Sequence, residues 1–147
     1  ILAGSYADVG KYHEKLELFA RELGLTDVIF TGQIRFDEIL AYYRLADVFL
    51  CMSEHEGFCV PLVEAMYFDV PIVARDTSAI GGTLGGSGVL LPDNDPIVAA
   101  EMVNRVLTDE ALKEKILKNQ RTRLQDFDNQ KVKARFLQII EKIIREN

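Results

Sequence analysis

A chain of 147 residues, 48% apolar and 27% charged, holds enough apolar material for one folded domain with a real core. Its formal charge of -6 argues against a general nucleic-acid or anionic-membrane surface. No apolar run approaches the ~20 residues of a spanning helix, and the opening Ile1-Leu2-Ala3-Gly4 lacks the basic and apolar regions of a signal peptide.

In chain order, Ile1 to Gly4 reads as a short buried strand ending at a glycine turn. Val9, Tyr12, Leu16, Phe19 and Leu23 fall on one face of a helix that stops at Gly24, with His13 on its solvent side. Val28 to Thr31 is the next strand, and Phe36, Ile39, Leu40 and Tyr43 mark a second helix. A strand from Val48 to Met52 leads into Ser53-Glu54-His55-Glu56-Gly57-Phe58-Cys59-Val60-Pro61-Leu62-Val63-Glu64-Ala65-Met66, a loop opening into a helix. Asp69-Val70-Pro71 then precedes the strand Ile72 to Ala74. Ala79 to Gly88 is glycine-rich and reads as a flexible connection to the strand Val89 to Leu91. Its glycines precede a strand and so do not form a dinucleotide fingerprint. Asp95 is placed as an N-cap before Pro96, which assigns the Asp93-Asn94-Asp95 run to turn chemistry and not to a metal. From there the chain is helical. Ile97, Ala100, Val103 and Leu107 mark one face; Leu112, Ile116, Asn119 and Leu124 mark a weaker one. Val132, Phe136, Ile139, Ile140 and Ile143 form a strong final stripe. Closely alternating strands and helices predict an α/β, Rossmann-like parallel sheet with helices on both faces, over a single domain spanning 1–147. Ligands are then expected at the carboxyl ends of the strands: Gly4-Ser5, Thr31-Gly32, Ser53 to Glu56 and Arg75-Asp76.

The helix after Ser53 is apolar nearly all round, which predicts burial, with Pro61 suited to its first position. Glu64 interrupts that apolar surface, so its carboxylate must be neutralised, hydrogen-bonded or turned into a cleft. Glu56 lies before the same helix, so two acids come near one helix N-terminus, where unpaired N–H groups and the dipole suit phosphate. Acids for hydroxyls beside amides for a phosphoryl group suggest a sugar-nucleotide site. The alternative at this point is that Glu56 assists capping and Glu64 pairs with a buried arginine.

Other patterns carry less. Gly4 to Lys11 has one residue too many between its glycines for a P-loop. His55 precedes Glu56 and reads as a loop histidine. Cysteines and histidines show no metal-ligand spacing, so no metal site is expected. Cys51 and Cys59 are expected as reduced thiols, in keeping with a cytoplasmic protein. The absence of an initial Met leads us to expect a piece of something longer.

Glu56-Gly57-Phe58 through Pro61, Glu64-Ala65-Met66 and Val70 to Ala74 together resemble the nucleotide-sugar-dependent glycosyltransferases of the group 1 (family 4) type. More narrowly, they are similar to the C-terminal, donor-binding half of a GT-B fold. Thr31-Gly32-Gln33, Tyr43 to Val48 and Gly88 to Pro92 add flanking matches, so the resemblance covers most of Ile1 to Leu107. The chain departs from the family at Asp69, where glycine is usual and where Asp is expected to keep the left-handed cap, and at Gly81-Gly82, where a Pro-Glu pair is usual.

The resemblance implies retaining transfer of a glycosyl group from a UDP-, GDP- or ADP-sugar to a hydroxyl acceptor, without a metal or other cofactor. It assigns Glu56, as the catalytic residue, to the donor sugar, where it helps stabilise developing positive charge near the reacting carbon, and Glu64 to the ribose hydroxyls. Gly57, Phe58, Cys59, Val60, Pro61 and Leu62 form the diphosphate-binding turn, and Gly32, Gln33 and Ile34 contact the base. It further implies an N-terminal domain for the sugar, lipid or other acceptor, able to touch a membrane peripherally. The family's first donor-domain strand and its Arg/Lys clamp are expected to lie outside residues 1–147, so this stretch by itself is expected to bind nucleotide weakly and not to turn over. The final apolar stripe is then open to solvent or to self-association. Readings from other classes are a nucleotide-sugar-binding regulatory module without catalysis, and a GT-B-type sugar-nucleotide epimerase or phosphorylase. A receiver-like signalling domain is disfavoured because no acid pair follows the first strand.

Overall fold

In a computed structural model of the chain, residues 1–5 and 10–146 are described. They fall into two compact units, Ile1–Tyr42 and Tyr43–Asn147, with the boundary inside a helix. In the first unit β1 (Leu2–Ala3) pairs in parallel with β2 (Phe30–Gly32) through the crossover helix α1 (Gly10–Glu22). The chain leaves α1 through Gly24, whose φ of 67° is a left-handed value that glycine adopts without strain. The packed face of α1 is not the expected one. Val9 lies outside the described residues, as do 6–8 of the rejected P-loop run, while Tyr12, Phe19 and Leu23 are exposed. His13, Leu16, Glu17 and Ala20 are half-buried instead. His13, expected to face solvent, sets its ring edge-on to Phe30 at 5.1 Å and keeps only 14% of its side chain exposed. Both stripes satisfy helical periodicity. An imidazole can supply an apolar body to a packed face, which residue type alone did not signal.

Helix α2 (Phe36–Leu45) carries the unit boundary. In the second unit β3 (Phe49–Cys51), β4 (Ile72–Arg75) and β5 (Val89–Leu91) form a parallel sheet in the order β3-β4-β5. Phe49 aligns with Ile72 and Cys51 with Ala74; Val73 aligns with Val89 and Arg75 with Leu91. The central strand is apolar on both faces, and Ile72, Val73 and Ala74 are fully buried, as a parallel strand covered by helices requires. The expected α/β class is therefore present, with its parallel pairing divided between two hydrogen-bonded sheets.

The connecting helices are α3 (Val60–Tyr67), α4 (Ile80–Leu84), α5 (Pro96–Thr108), α6 (Glu110–Leu124) and, after a 3-10 turn at Gln125–Phe127, α7 (Asn129–Glu146). Helix α3 is not buried all round. Leu62, Ala65 and Met66 are buried, but Val60 and Tyr67 are exposed, because apolar residues on one helix need not all find neighbours. Asp69 adopts the left-handed conformation expected of it (φ 55°), and its carboxylate takes a 2.7 Å bond from Arg121 Nε on α6. Asp95 caps α5 as its position predicts, accepting from the N–H of Ile97 at 2.8 Å.

Two expectations about α5 and the glycine run fail. The core face of α5 is Ala99, Met102, Val103 and Val106, rotated away from Ile97, Ala100 and Leu107, which are exposed. The run from Ala79 to Gly88 is no flexible connection: it contains α4, and a Cβ at Gly81, Gly85 or Gly88 would meet close neighbours. A Cβ on Gly88 would lie 3.1 Å from the Ile72 carbonyl oxygen, and Gly85, at φ 57°, closes α4 against the Arg123 side chain.

Val73, Leu91, Ala99, Val106 and Ile116 form a buried core between the sheet and helices α5 and α6. Gln120, one position beyond the expected Asn119, is wholly buried in this unit. Its Oε1 accepts from the Ile72 N–H at 3.1 Å, and its Nε2 donates to the Val70 carbonyl at 2.8 Å. One amide therefore satisfies both backbone groups on the approach to β4. The α7 stripe of Val132, Phe136, Ile139, Ile140 and Ile143 is exposed along its length. Among the described residues no helix is long and apolar enough to cross a membrane.

Gln120→Ala leaves two buried backbone groups without partners and is expected to cost about 2–4 kcal/mol in denaturant unfolding. Asn119→Ala, on the exposed side, should change stability by less than about 0.5 kcal/mol.

Candidate functional site

Parallel pairing sets the carboxyl ends of β3 and β4 at one edge of their sheet, so the loops that follow them are neighbours by construction. Hydroxyls join the two loops. Thr77 Oγ1 donates to the Ser53 carbonyl at 2.9 Å, and the Glu56 N–H donates to Ser78 Oγ at 2.9 Å. The Ala79 N–H reaches the Glu56 carbonyl at 3.4 Å, and Thr83 Oγ1 donates to the Phe58 carbonyl at 2.6 Å. Arg123 supports the far side. Its guanidinium donates to the carbonyls of Thr83 (3.0 Å) and Gly82 (2.7 Å) and lies over the Phe127 ring, which meets Phe58 edge-on at 5.7 Å.

The loop enters α3 through Cys59, which is left-handed at φ 64° and makes no side-chain cap bond. A non-glycine residue reaches that conformation only where its surroundings enforce it. Cys59 is buried, its thiol 3.9 Å from that of Cys51, and both cysteines are free. Burial pushes the Cys59 thiol up to about 12, aided by the Cys51 thiol and the Glu56 carboxylate and opposed by the Leu62 N–H. Pro61 lies in the first turn, where its missing N–H is harmless. The Leu62 N–H is used within the turn by the Cys59 carbonyl at 3.0 Å, and its side chain is fully buried, so Leu62 seats the helix.

Glu64 is half-buried one turn further along α3. The alternative of a buried arginine partner is not what the structure contains. Tyr43 Oη donates to Glu64 Oε2 at 2.9 Å, while the Tyr43 ring stacks on Phe68 at 5.5 Å. Burial, then the bond to Glu64, raises the Tyr43 phenol well above its ordinary range, so it stays a proton donor to the carboxylate. Glu56 is half-buried, while Gly57, Phe58, Val60 and Pro61 are exposed around the mouth of the helix. Gly32 ends β2 in the other unit, buried at φ 66°, followed by exposed Gln33 and half-buried Ile34.

Several participants were not singled out from the sequence. Ser78 carries no signal of its own, Thr83 lies inside the glycine-rich run, and Tyr43 is part of an apolar helix face. Arg75, named above among the strand ends, closes β4 with its side chain 23% exposed; it approaches Glu54 to 3.8 Å, and its Nε and one Nη are buried without a hydrogen-bond partner among the described residues. One grouping of potential metal ligands arises from the fold and not from sequence spacing. Cys51, Glu56 and Cys59 bring a sulfur, an oxygen and a sulfur within 4.8 Å of one another, a cluster made by the loop's return and invisible as spacing.

The raised Cys59 group has a stability consequence. Its folded value lies above the unfolded value of about 9, so its contribution is intact below pH 9 and declines as pH rises towards 12. Unfolding midpoints should therefore fall more between pH 8 and pH 10.5 for the parent chain than for Cys59→Ser. Equal pH dependence in the two would contradict this assignment.

Comparison with known proteins bears on the same residues. The family model described as glycosyl transferases group 1 matches residues 1–123. A D-inositol 3-phosphate glycosyltransferase of Corynebacterium jeikeium is 30% identical over 116 residues, covering 77% of this chain and 28% of that protein. Sucrose-phosphate synthase from Thermosynechococcus elongatus superposes with a TM-score of 0.77 at 27% identity, over 99% of this chain and 38% of that one. Anabaena Alr3699/HepE, solved in complex with UDP and glucose, gives a TM-score of 0.82 at 22% identity, over 95% of this chain and 39% of that one. At that identity the last likeness shows the fold alone, an α/β arrangement like those of GT-B glycosyltransferase domains. The chain spans about a quarter to two-fifths of the length of these relatives. Its sequence and fold together make it a member of the group 1 glycosyltransferase family.

Proposed function

We propose that this chain binds a nucleoside diphosphate sugar at the start of α3, as the donor-binding half of a retaining glycosyltransferase acting on an acceptor hydroxyl. The observation that carries the reading is the pinned turn from Ser53 to Cys59, with Glu56 before the helix mouth and Glu64 held by Tyr43 behind it. Family membership supplies the chemistry to which this arrangement is suited.

In this reading the diphosphate is the leaving group, and negative charge grows on it as the glycosidic bond breaks. The amides of Gly57, Phe58, Cys59 and Val60, with the α3 dipole behind them, oppose that charge without reorganising. Pro61 fixes the backbone of the first turn and offers no donor. Glu64 accepts from the ribose hydroxyls through the oxygen that Tyr43 does not hold, and Tyr43 keeps its carboxylate from rotating away. Glu56 accepts from the donor sugar and stabilises positive charge developing at the reacting carbon. Gly32, Gln33 and Ile34 are assigned to the base on the family resemblance. The acceptor, a sugar, lipid or other hydroxyl compound, is assigned to a part of the protein beyond this chain. Without that part to orient the acceptor, the chain binds donor but does not turn over.

Thermal unfolding of the chain with UDP, GDP or ADP, each alone, tests the ligand class and reports the base. The matching nucleotide at 100 times its Kd should stabilise the fold by about 2.7 kcal/mol. Glu64→Ala should remove most of that response, whereas Glu56→Gln should keep the response to the diphosphate and lose the increment added by the sugar. Indifference to all three nucleotides would contradict the proposal.

A further inference from the structure

The thiols of Cys51 and Cys59 stand apart from the donor chemistry just described, which uses only the Cys59 amide. Both are buried, neither is bonded, and no role in binding the nucleotide uses their sulfurs. Their Sγ atoms are 3.9 Å apart, and a Glu56 carboxylate oxygen completes a set in which every pair lies within 4.8 Å. Two Zn–S bonds of about 2.3 Å at a tetrahedral angle span about 3.8 Å, so the sulfurs already have the edge length of a zinc tetrahedron. A disulfide would require them to close to about 2.05 Å. Ser53 Oγ accepts from the Cys51 thiol at 3.7 Å, a neighbouring polar group of the kind that orients a ligand.

We propose that Cys51, Cys59 and Glu56 form a binding site for a thiophilic divalent cation of the zinc class, with a fourth position left open to water. Soft sulfur ligands select such an ion over magnesium or calcium, and three protein ligands with one open position give the common geometry of an accessible zinc. The half-buried Glu56 gives the ion a way in from solvent, while the sulfurs lie beneath it. The Thr77, Ser78 and Thr83 bonds hold the loop so that the ligands need little rearrangement. Occupancy withdraws Glu56 from the donor sugar and makes the ion an inhibitor of transfer. That consequence rests on the proposed function; the binding itself does not.

Cadmium titration of the fully reduced chain tests the binding directly, because cadmium thiolates absorb in the ultraviolet and the readout needs no activity. One equivalent should bind with a sulfur-to-cadmium charge-transfer band that zinc displaces and magnesium does not. The band should vanish in Cys51→Ser and in Cys59→Ser. In Glu56→Gln, a change at a half-exposed position, affinity should fall at least tenfold while the band persists. Absence of the band in the parent chain, its survival in either serine variant, or unchanged affinity in Glu56→Gln would each overturn the site. The parent and Glu56→Gln measurements decide the matter even if a serine variant fails to fold.

Discussion

The arrangement depends on one set of hydrogen bonds, those by which the hydroxyls of Thr77, Ser78 and Thr83 hold the loop between β3 and α3. The loop carries Glu56 and leads into a helix whose first residues are exposed, so little apolar burial fixes its path. Three side-chain hydroxyls and one amide supply what burial does not, and each satisfies a backbone group that would otherwise depend on water. Because the partners lie on the loop after β4 and on α4, the geometry of the helix mouth is tied to the core sheet. Movement of α4 would be felt at Glu56. Arg123 braces α4 from α6, which extends the support by a further step.

The two acids occupy different environments, and this bears on their separate roles. Glu64 has a phenol as partner, and the Tyr43 hydroxyl, raised in pKa by burial, remains protonated across any physiological pH. That carboxylate is oriented before ligand arrives, which lowers the entropic cost of binding. Among the described residues Glu56 is anchored through its backbone, and its side chain lies beside two thiols. In the proposed reading, Glu56 follows charge at a reacting carbon and benefits from such latitude, and the proposed cation site draws on the same freedom.

Legibility in the sequence followed the range of the interactions. β4, with its run Ile72-Val73-Ala74, the caps at Asp69 and Asp95, and the loop-to-helix turn at Pro61 were readable because each is local in origin. Which stripe of α1 or α5 packs was not readable, since both helices carry competing apolar faces and only tertiary contact chooses between them. Gln120 could not be distinguished from a surface glutamine, because its partners at Val70 and Ile72 lie some 50 residues away. The glycine run was misread for a related reason: glycine marks flexibility and close approach with the same letter, and Gly88 serves the second. At the site, Glu56 and Glu64 stood out as acids beside an apolar helix. Tyr43, Ser78 and Thr83 did not, because a hydroxyl becomes informative only once its acceptor is known.

The account centres on a nucleotide held at the mouth of α3, and amide chemical-shift mapping of the isotope-labelled chain tests it most directly. Titration with the nucleoside diphosphate that binds should move the resonances of Gly57, Phe58, Cys59 and Val60 together, with the Tyr43 hydroxyl or its neighbours responding through Glu64. Shifts confined instead to the open groove lined by Tyr67, Arg121, Phe127 and Lys131, with the Gly57 to Val60 amides unmoved, would contradict it.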